Sequence, residues 1–207
     1  MTVFEISHPL VREKLTEMRK KETPNRVFKQ NLDEIASLIA FEVTRHLPEE
    51  AVEIETPLVQ TKGTKIACPI ILVPILRAGL GLLNGVHRMI PEAKVGHIGM
   101  ARNEETLLPE EYYAKFPSCL DTAQVIVLDP MLATGGSACD ALENIKARGA
   151  KNMVFACLLA APEGIEKLQR EHPDVDIYVC AIDEKLNEKG YIVPGLGDAG
   201  DRIFGTE

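Results

Sequence analysis

Apolar residues recur along the chain in three rhythms: a helical period, a strand-like alternation and short unbroken runs. Between residues 9 and 47 the helical period dominates, with Leu32, Ile35, Ile39 and Val43 on one face. This predicts two helices, with Pro9 in the first turn of one and Pro48 ending the other. From Val52 the alternation of Val52 and Ile54 against Glu53 and Glu55 predicts a strand. Residues 69–73 form a β-branched run of the kind that a sheet buries on both faces. Leu83, Val86 and Ile90 then return to helical spacing until Pro91 stops it.

Residues 94–116 carry strand-like pieces on either side of a polar tip at 102–105, which predicts an extended hairpin or a mobile flap. Residues 125–128 are a continuous apolar strand. A glycine-rich loop follows, and then Ala138, Ala141, Leu142 and Ile145 line one face of a helix that Gly149 closes. Residues 153–159 predict another strand, 162–169 a short helix carrying Ile165 and Leu168, and 175–180 a further strand. Strands that alternate with helices in this way make an α/β fold with a parallel sheet and right-handed crossovers. After Asp183 the chain runs into GYIVPGLGDAGDRIFGT, which has neither period, so no core element is expected there. Its glycines, with Tyr191, Ile192, Val193, Leu196 and Phe204, predict a loop folded over something that needs close backbone approach. No internal repeat or linker divides the 207 residues, and one domain is expected.

Composition narrows the function classes. The longest nearly apolar stretch, 66–76, is broken by Pro69 and Pro74 and falls well short of the roughly 18 residues of a membrane span. The first residues, MTVFEISHPLVREK, lack the basic and apolar regions of a secretory signal, so a cytoplasmic protein without membrane partners is expected. Five cysteines with no C-x-x-C pair and no histidine at ligand spacing read as reduced, mostly buried thiols. A net charge of -8 argues against nucleic acid as a partner, because that affinity rests on a basic footprint. A phosphorylated small molecule remains open to such a chain if local amides, a few arginines and a divalent cation offset the overall field.

The segment VIVLDPMLATGGSA supplies such a site. Asp129 stands at the carboxyl end of a buried strand, Thr134-Gly135-Gly136-Ser137 follows, and a helix begins. Glycines let backbone N–H groups turn inward around an anion, the two hydroxyls add donors, and the helix start adds partial positive charge. Asp129 is then placed to accept hydrogen bonds from ribose hydroxyls of a ligand whose 5-phosphate occupies the loop. A tight βα turn with a good N-cap would give the same local pattern. Neither G-x-G-x-x-G nor G-x-x-x-x-G-K-[ST] occurs, so the common dinucleotide and nucleoside triphosphate loops do not match.

With this loop as DPMLATGGS, the chain resembles the type I phosphoribosyltransferases, and among them the uracil phosphoribosyltransferase family. HPLV, ETP, PILRAG, AKVGHIG, HPDVDIY and the glycine-rich tail carry the likeness over nearly the whole chain. Pro130 stands where most type I relatives have a second acid, which leaves Asp129 as the motif's only carboxylate and gives the arginines and magnesium more of the charge to stabilise. The resemblance implies a parallel-sheet core with helices on both faces at about 50–182, N-terminal helices, a β-flap, and a hood formed by residues 183–207 with the N-terminal segment. It implies transfer of the phosphoribosyl group of phosphoribosyl pyrophosphate (PRPP) to uracil. Mg2+ would be held mainly through PRPP, with no direct protein ligand identified. Homodimers or larger homo-oligomers and a GTP effector are also implied.

By the same resemblance Arg77, Arg102, Asp129 and Asp198 are catalytic, and PRPP also meets Pro130, Met131, Leu132, Ala133, Thr134, Gly135, Gly136 and Ser137. Arg77, just after a buried strand, would grip diphosphate, and Arg102 on the flap would close over the substrate. Ile192, Gly197, Asp198 and Ala199 would read uracil, whose N3–H donor between two carbonyls suits backbone groups of an irregular loop. Asp201 and Arg202 are expected to form an internal ion pair. His97, Tyr112 and Tyr113 are read as structural, and no general base stands out. Transfer to another nucleobase, or a pyrimidine-sensing regulator with this fold, are the alternatives; the tail sequence and the acidic balance weigh against them.

Overall fold

The structure, a computed structural model, describes residues 1–102 and 109–206. A sheet runs through the molecule with strands in the order β1-β11-β10-β8-β4-β6-β7, where β1 is Val3–Glu5, β4 is Ile70–Leu76, β6 is His97–Arg102, β7 is Pro109–Lys115, β8 is Gln124–Leu128, β10 is Asn152–Ala160 and β11 is Asp176–Ile182. All neighbours along this order are parallel except β6 and β7. The expected α/β class with a mostly parallel sheet is the one observed.

One face of the sheet is covered by α1 (Pro9–Arg19), α2 (Asn25–Val43) and α3 (Leu80–Met89). Pro9 occupies the first turn of α1, and the His8 ring caps it by accepting the Leu10 N–H at 3.2 Å. The helix then buries Val11, Leu15 and Met18, and α2 buries Phe28, Leu32, Ile35, Ile39 and Val43, as the 3.6-residue period requires. A Cβ on Gly85 of α3 would lie 2.2 Å from the Asp33 carbonyl oxygen, so only glycine lets α2 and α3 approach this closely. The other face is packed by α4 (Gly136–Ala147) and α5 (Pro162–Glu171).

Several elements depart from the pattern reading. The strand expected at 69–73 continues to Leu76, through Pro74. Its flank pairs with β5 (Lys94–Val95) up to Leu72 and with β6 from Ile75 on, so the missing N–H of Pro74 falls in the gap between the two pairings. Strand β1 joins the sheet edge against β11, and β2 (Glu49–Glu55) forms a separate hairpin with β3 (Gln60–Ile66). Residues 103–108, which hold most of the expected flap tip, lie outside the described residues; Arg102 ends β6 opposite Pro109.

The largest correction concerns the tail. Strands β12 (Lys185–Leu186) and β13 (Ile192–Val193) pair antiparallel, and Ala199–Phe204 form a helix, α6. Ile192, Leu196, Ala199 and Ile203 are buried in the same core as α1, α2 and α3. Six helical residues are fewer than two turns, too short for a sequence period to register.

Candidate active site

In this sheet the chain leaves β4 towards β6 on one side and leaves β8 towards β10 on the other. The carboxyl ends of β4 and β8 therefore flank the point where the connections diverge, which is where open α/β sheets form a crevice. Arg77 follows β4, and Asp129 follows β8. A cleft of about 210 Å³ opens there, lined by Ala78, Asp129, Met131 and Ala133 from the sheet side and by Tyr191, Ile192, Gly197, Asp198 and Ala199 from the tail. The nucleotide-loop acid and all four residues assigned to the base thus share one cavity, although they are more than sixty residues apart in sequence.

The loop after Asp129 is built by its backbone. Met131 and Leu132 form a short strand, β9, against Leu159 and Ala160 of β10, and the Pro130 carbonyl accepts N–H bonds from Leu158 and Leu159, both at 3.0 Å. Pro130 and Leu132 are consequently buried, whereas Met131 and Ala133 line the cleft. Gly135, at φ 77°, caps α4, where any other residue would be strained. Gly164 of α5 lies so near that a Cβ on it would stand 2.4 Å from the Ala133 carbonyl oxygen. Thr134 and Ser137 are exposed at the start of α4, where the Thr134 hydroxyl accepts the Gly136 N–H at 3.4 Å. The arrangement can hold a phosphate monoester.

Among the described residues no cation pairs with Asp129. Burial of its carboxyl pushes the pKa up to about 7, against one opposing contact, the Met131 N–H at 3.3 Å. Asp198 is exposed at the rim and caps α6 by accepting the Asp201 N–H at 2.9 Å. Arg77 does not line this cleft. Its guanidinium turns to α6, with Nη2 3.6 Å from Asp201 Oδ1 and Cζ 5.8 Å from the centre of the Phe204 ring. The Leu76–Arg77 peptide is cis, and a Cβ on Gly79 would lie 2.3 Å from the Leu128 carbonyl oxygen, so the two loops are packed backbone to backbone.

The expected Asp201–Arg202 ion pair is not formed. Arg202 Nη1 donates to the carbonyls of Met18 and Leu196 at 2.5 and 2.9 Å, Nη2 to that of Lys20 at 2.8 Å, and the guanidinium sits 4.5 Å from the Phe28 ring centre. Successive residues on a helix point in different directions, so 201 and 202 face different neighbours. The sequence reading also missed Asp183, which is 8% exposed, grips Arg19 in two hydrogen bonds at 2.6 and 2.7 Å, and accepts the Gly195 N–H at 2.9 Å. Nothing in local pattern links residues 164 positions apart.

The five cysteines are free, and Cys139, Cys157 and Cys180 are buried. Tyr112 lies over Gly99, where a Cβ would be 2.4 Å from its ring. No helix among the described residues is long and apolar enough to cross a membrane.

Comparison with known proteins bears on the same cleft. A family model described as uracil phosphoribosyltransferase matches residues 5–206. A uracil phosphoribosyltransferase of Bacillus licheniformis is 57% identical over 206 residues, 99% of each chain. One of Mycoplasma capricolum subsp. capricolum is 56% identical over 207 residues, 100% of each. The solved structure of a protein from Aquifex aeolicus superposes with a TM-score of 0.92 at 38% identity, covering 98% of both chains. A hypoxanthine-guanine phosphoribosyltransferase of Bacillus anthracis shares the fold, with a TM-score of 0.52 at 15% identity over 77% of this chain and 80% of its own.

Proposed function

The chain belongs to the uracil phosphoribosyltransferase family, and from that premise we propose which of its residues do the work. The reaction is transfer of the 5-phosphoribosyl group of PRPP to uracil, giving UMP and pyrophosphate, a step of pyrimidine salvage. In our reading the loop at 129–137 holds the 5-phosphate with its amides and with Thr134 and Ser137, and Asp129 accepts the ribose hydroxyls. Ile192, Gly197, Asp198 and Ala199 face uracil, Arg77 takes the diphosphate, and Arg102 closes from the flap. The observation that carries this is the single cleft shared by Asp129 and those four tail residues.

Phosphoribosyl transfer inverts C1 of the ribose through a transition state with oxocarbenium character, so the chain must hold uracil N1 beneath C1, neutralise the departing diphosphate and exclude water. In our reading a magnesium ion would be held mainly by the substrate, with the exposed carboxylate of Asp198 at the cleft rim beside it. When bound, the ion would neutralise diphosphate oxygens. We further propose a single domain, its core at about 50–182 and its hood formed by 183–207 with the N-terminal segment. A cytoplasmic homodimer or larger homo-oligomer with GTP as effector completes the reading. The family likeness supports the effector, and the exposed Leu58 and Val59 at the β2–β3 turn support self-association.

Gly135→Val tests the loop assignment. At φ 77° and 3.0 Å from the Gly164 carbonyl oxygen, valine displaces the phosphate-facing amides, and PRPP affinity measured by calorimetry should fall by more than about tenfold. Unchanged affinity would remove the phosphate from this loop.

A further inference from the structure

We propose that Asp201 is a positioning residue that latches Arg77 to the C-terminal helix until the diphosphate of PRPP takes the guanidinium from it. This rests on the reading above that Arg77 binds the diphosphate. Arg77 and Ala78 are adjacent, yet only Ala78 lines the cleft; the Arg77 side chain leaves it and meets Asp201 and the Phe204 ring. Asp201 is itself fixed, since its Oδ1 accepts the Thr206 hydroxyl at 2.7 Å and its N–H is held by the Asp198 carboxylate at 2.9 Å. The contact is close on the backbone side too, where a Cβ on Gly200 would lie 3.2 Å from Asp198 Oδ1 and 3.9 Å from the Ala78 Cβ. The N-cap and first turn of α6 therefore join Asp198, proposed to face the base, to the carboxylate that holds the arginine.

The latch is weak by construction. The pair is 3.6 Å apart with the Arg77 side chain 59% exposed, a geometry in which an ion pair contributes little. A diphosphate offers several charged oxygens to a planar fork of N–H donors and wins the competition. Its arrival also removes a tie between the hood and the sheet edge, so that occupancy of the PRPP site is felt at the base site through a single side chain.

The cost of unlatching appears in PRPP affinity. With magnesium present and the full chain, calorimetry on wild type, Asp201→Asn, Arg77→Ala and the double variant should show Asp201→Asn binding PRPP about twofold to fivefold more tightly than wild type. In the Arg77→Ala background the same change should have no effect. A general gain from losing one negative charge, or a purely structural role for Asp201, would act equally in both backgrounds. Phe204→Leu, which alters no charge, should tighten binding in the same Arg77-dependent way, and it carries the test if Asp201→Asn does not fold. Unchanged or weaker affinity in the folded variants, or an equal gain without Arg77, overturns the latch. PRPP affinity that Arg77→Ala leaves at the wild-type value overturns instead the assignment of Arg77 on which the latch rests.

Discussion

Partial burial of the Asp129 carboxyl at the cleft, opposed by the Met131 N–H contact at 3.3 Å, pushes its pKa up to about 7. An unfolded aspartate titrates near 3.9. Between these values the folded chain keeps a proton that the unfolded chain has lost, so the group's contribution to stability falls as pH rises from about 4 to about 7. Asp129→Asn removes that loss. It should be more stable than wild type at pH 8 by on the order of 2 kcal/mol, with the gap closing towards pH 4 in urea titrations. Equal stability at pH 8 would mean the carboxyl is solvated. In its proposed role the ionised carboxylate accepts the ribose hydroxyls, so turnover of the variant should also drop by about 10- to 100-fold at pH 8. Wild-type PRPP affinity should weaken as pH falls through 7, beyond any change that the ligand's own titration causes in the asparagine variant. The place of Asp129 at the end of β8 was legible in the sequence because the apolar run 125–128 stops there. Arg202 was misread for a local reason, since pairing it with Asp201 presumes a loop, and in a helix the two point apart.

The elements that pattern predicts best are those with a long buried face. Every apolar position that the period picks out in α2 and α4 is buried, and β8 and β10 need only their apolar runs. Pattern fails where an element is short or partly polar. β1 has three residues, β3 reads QTKGTKI, and α6 has six residues. The hood illustrates why such pieces still form, because its stability comes from docking rather than from its own period. Arg202 satisfies three carbonyls of the α1 end and the tail, and Asp183 joins Arg19 of α1 to Gly195. Asp183→Ala leaves Arg19 and the Gly195 N–H without this partner in a poorly hydrated place. The expected cost is about 3 kcal/mol in denaturant melts, with a raised KM for uracil as the tail loosens. A loss under about 0.5 kcal/mol would show that the tail is docked by its apolar residues alone.

At the scale of the molecule, the sheet's order places two loops that local reading had found separately, 77–79 and 129–137, on either side of one crevice. The family resemblance implied that convergence, but local pattern gave no sign of it, because it depends on β8 pairing with β4 across more than forty residues of sequence. The tail then lines the crevice, so Asp129, Met131 and Ala133 share one cleft with the tail residues proposed to face the base. Choice of base is the property that this arrangement should confer, since buried backbone groups matched to uracil are left unpaired by cytosine. The most direct measurement is nucleotide formation by the purified protein with PRPP and magnesium, offered uracil, cytosine, orotate and hypoxanthine in parallel. UMP and pyrophosphate should form from uracil, with cytosine, orotate and hypoxanthine turned over at least about a hundredfold more slowly. Absence of UMP from uracil, or comparable rates with another base, would contradict the account.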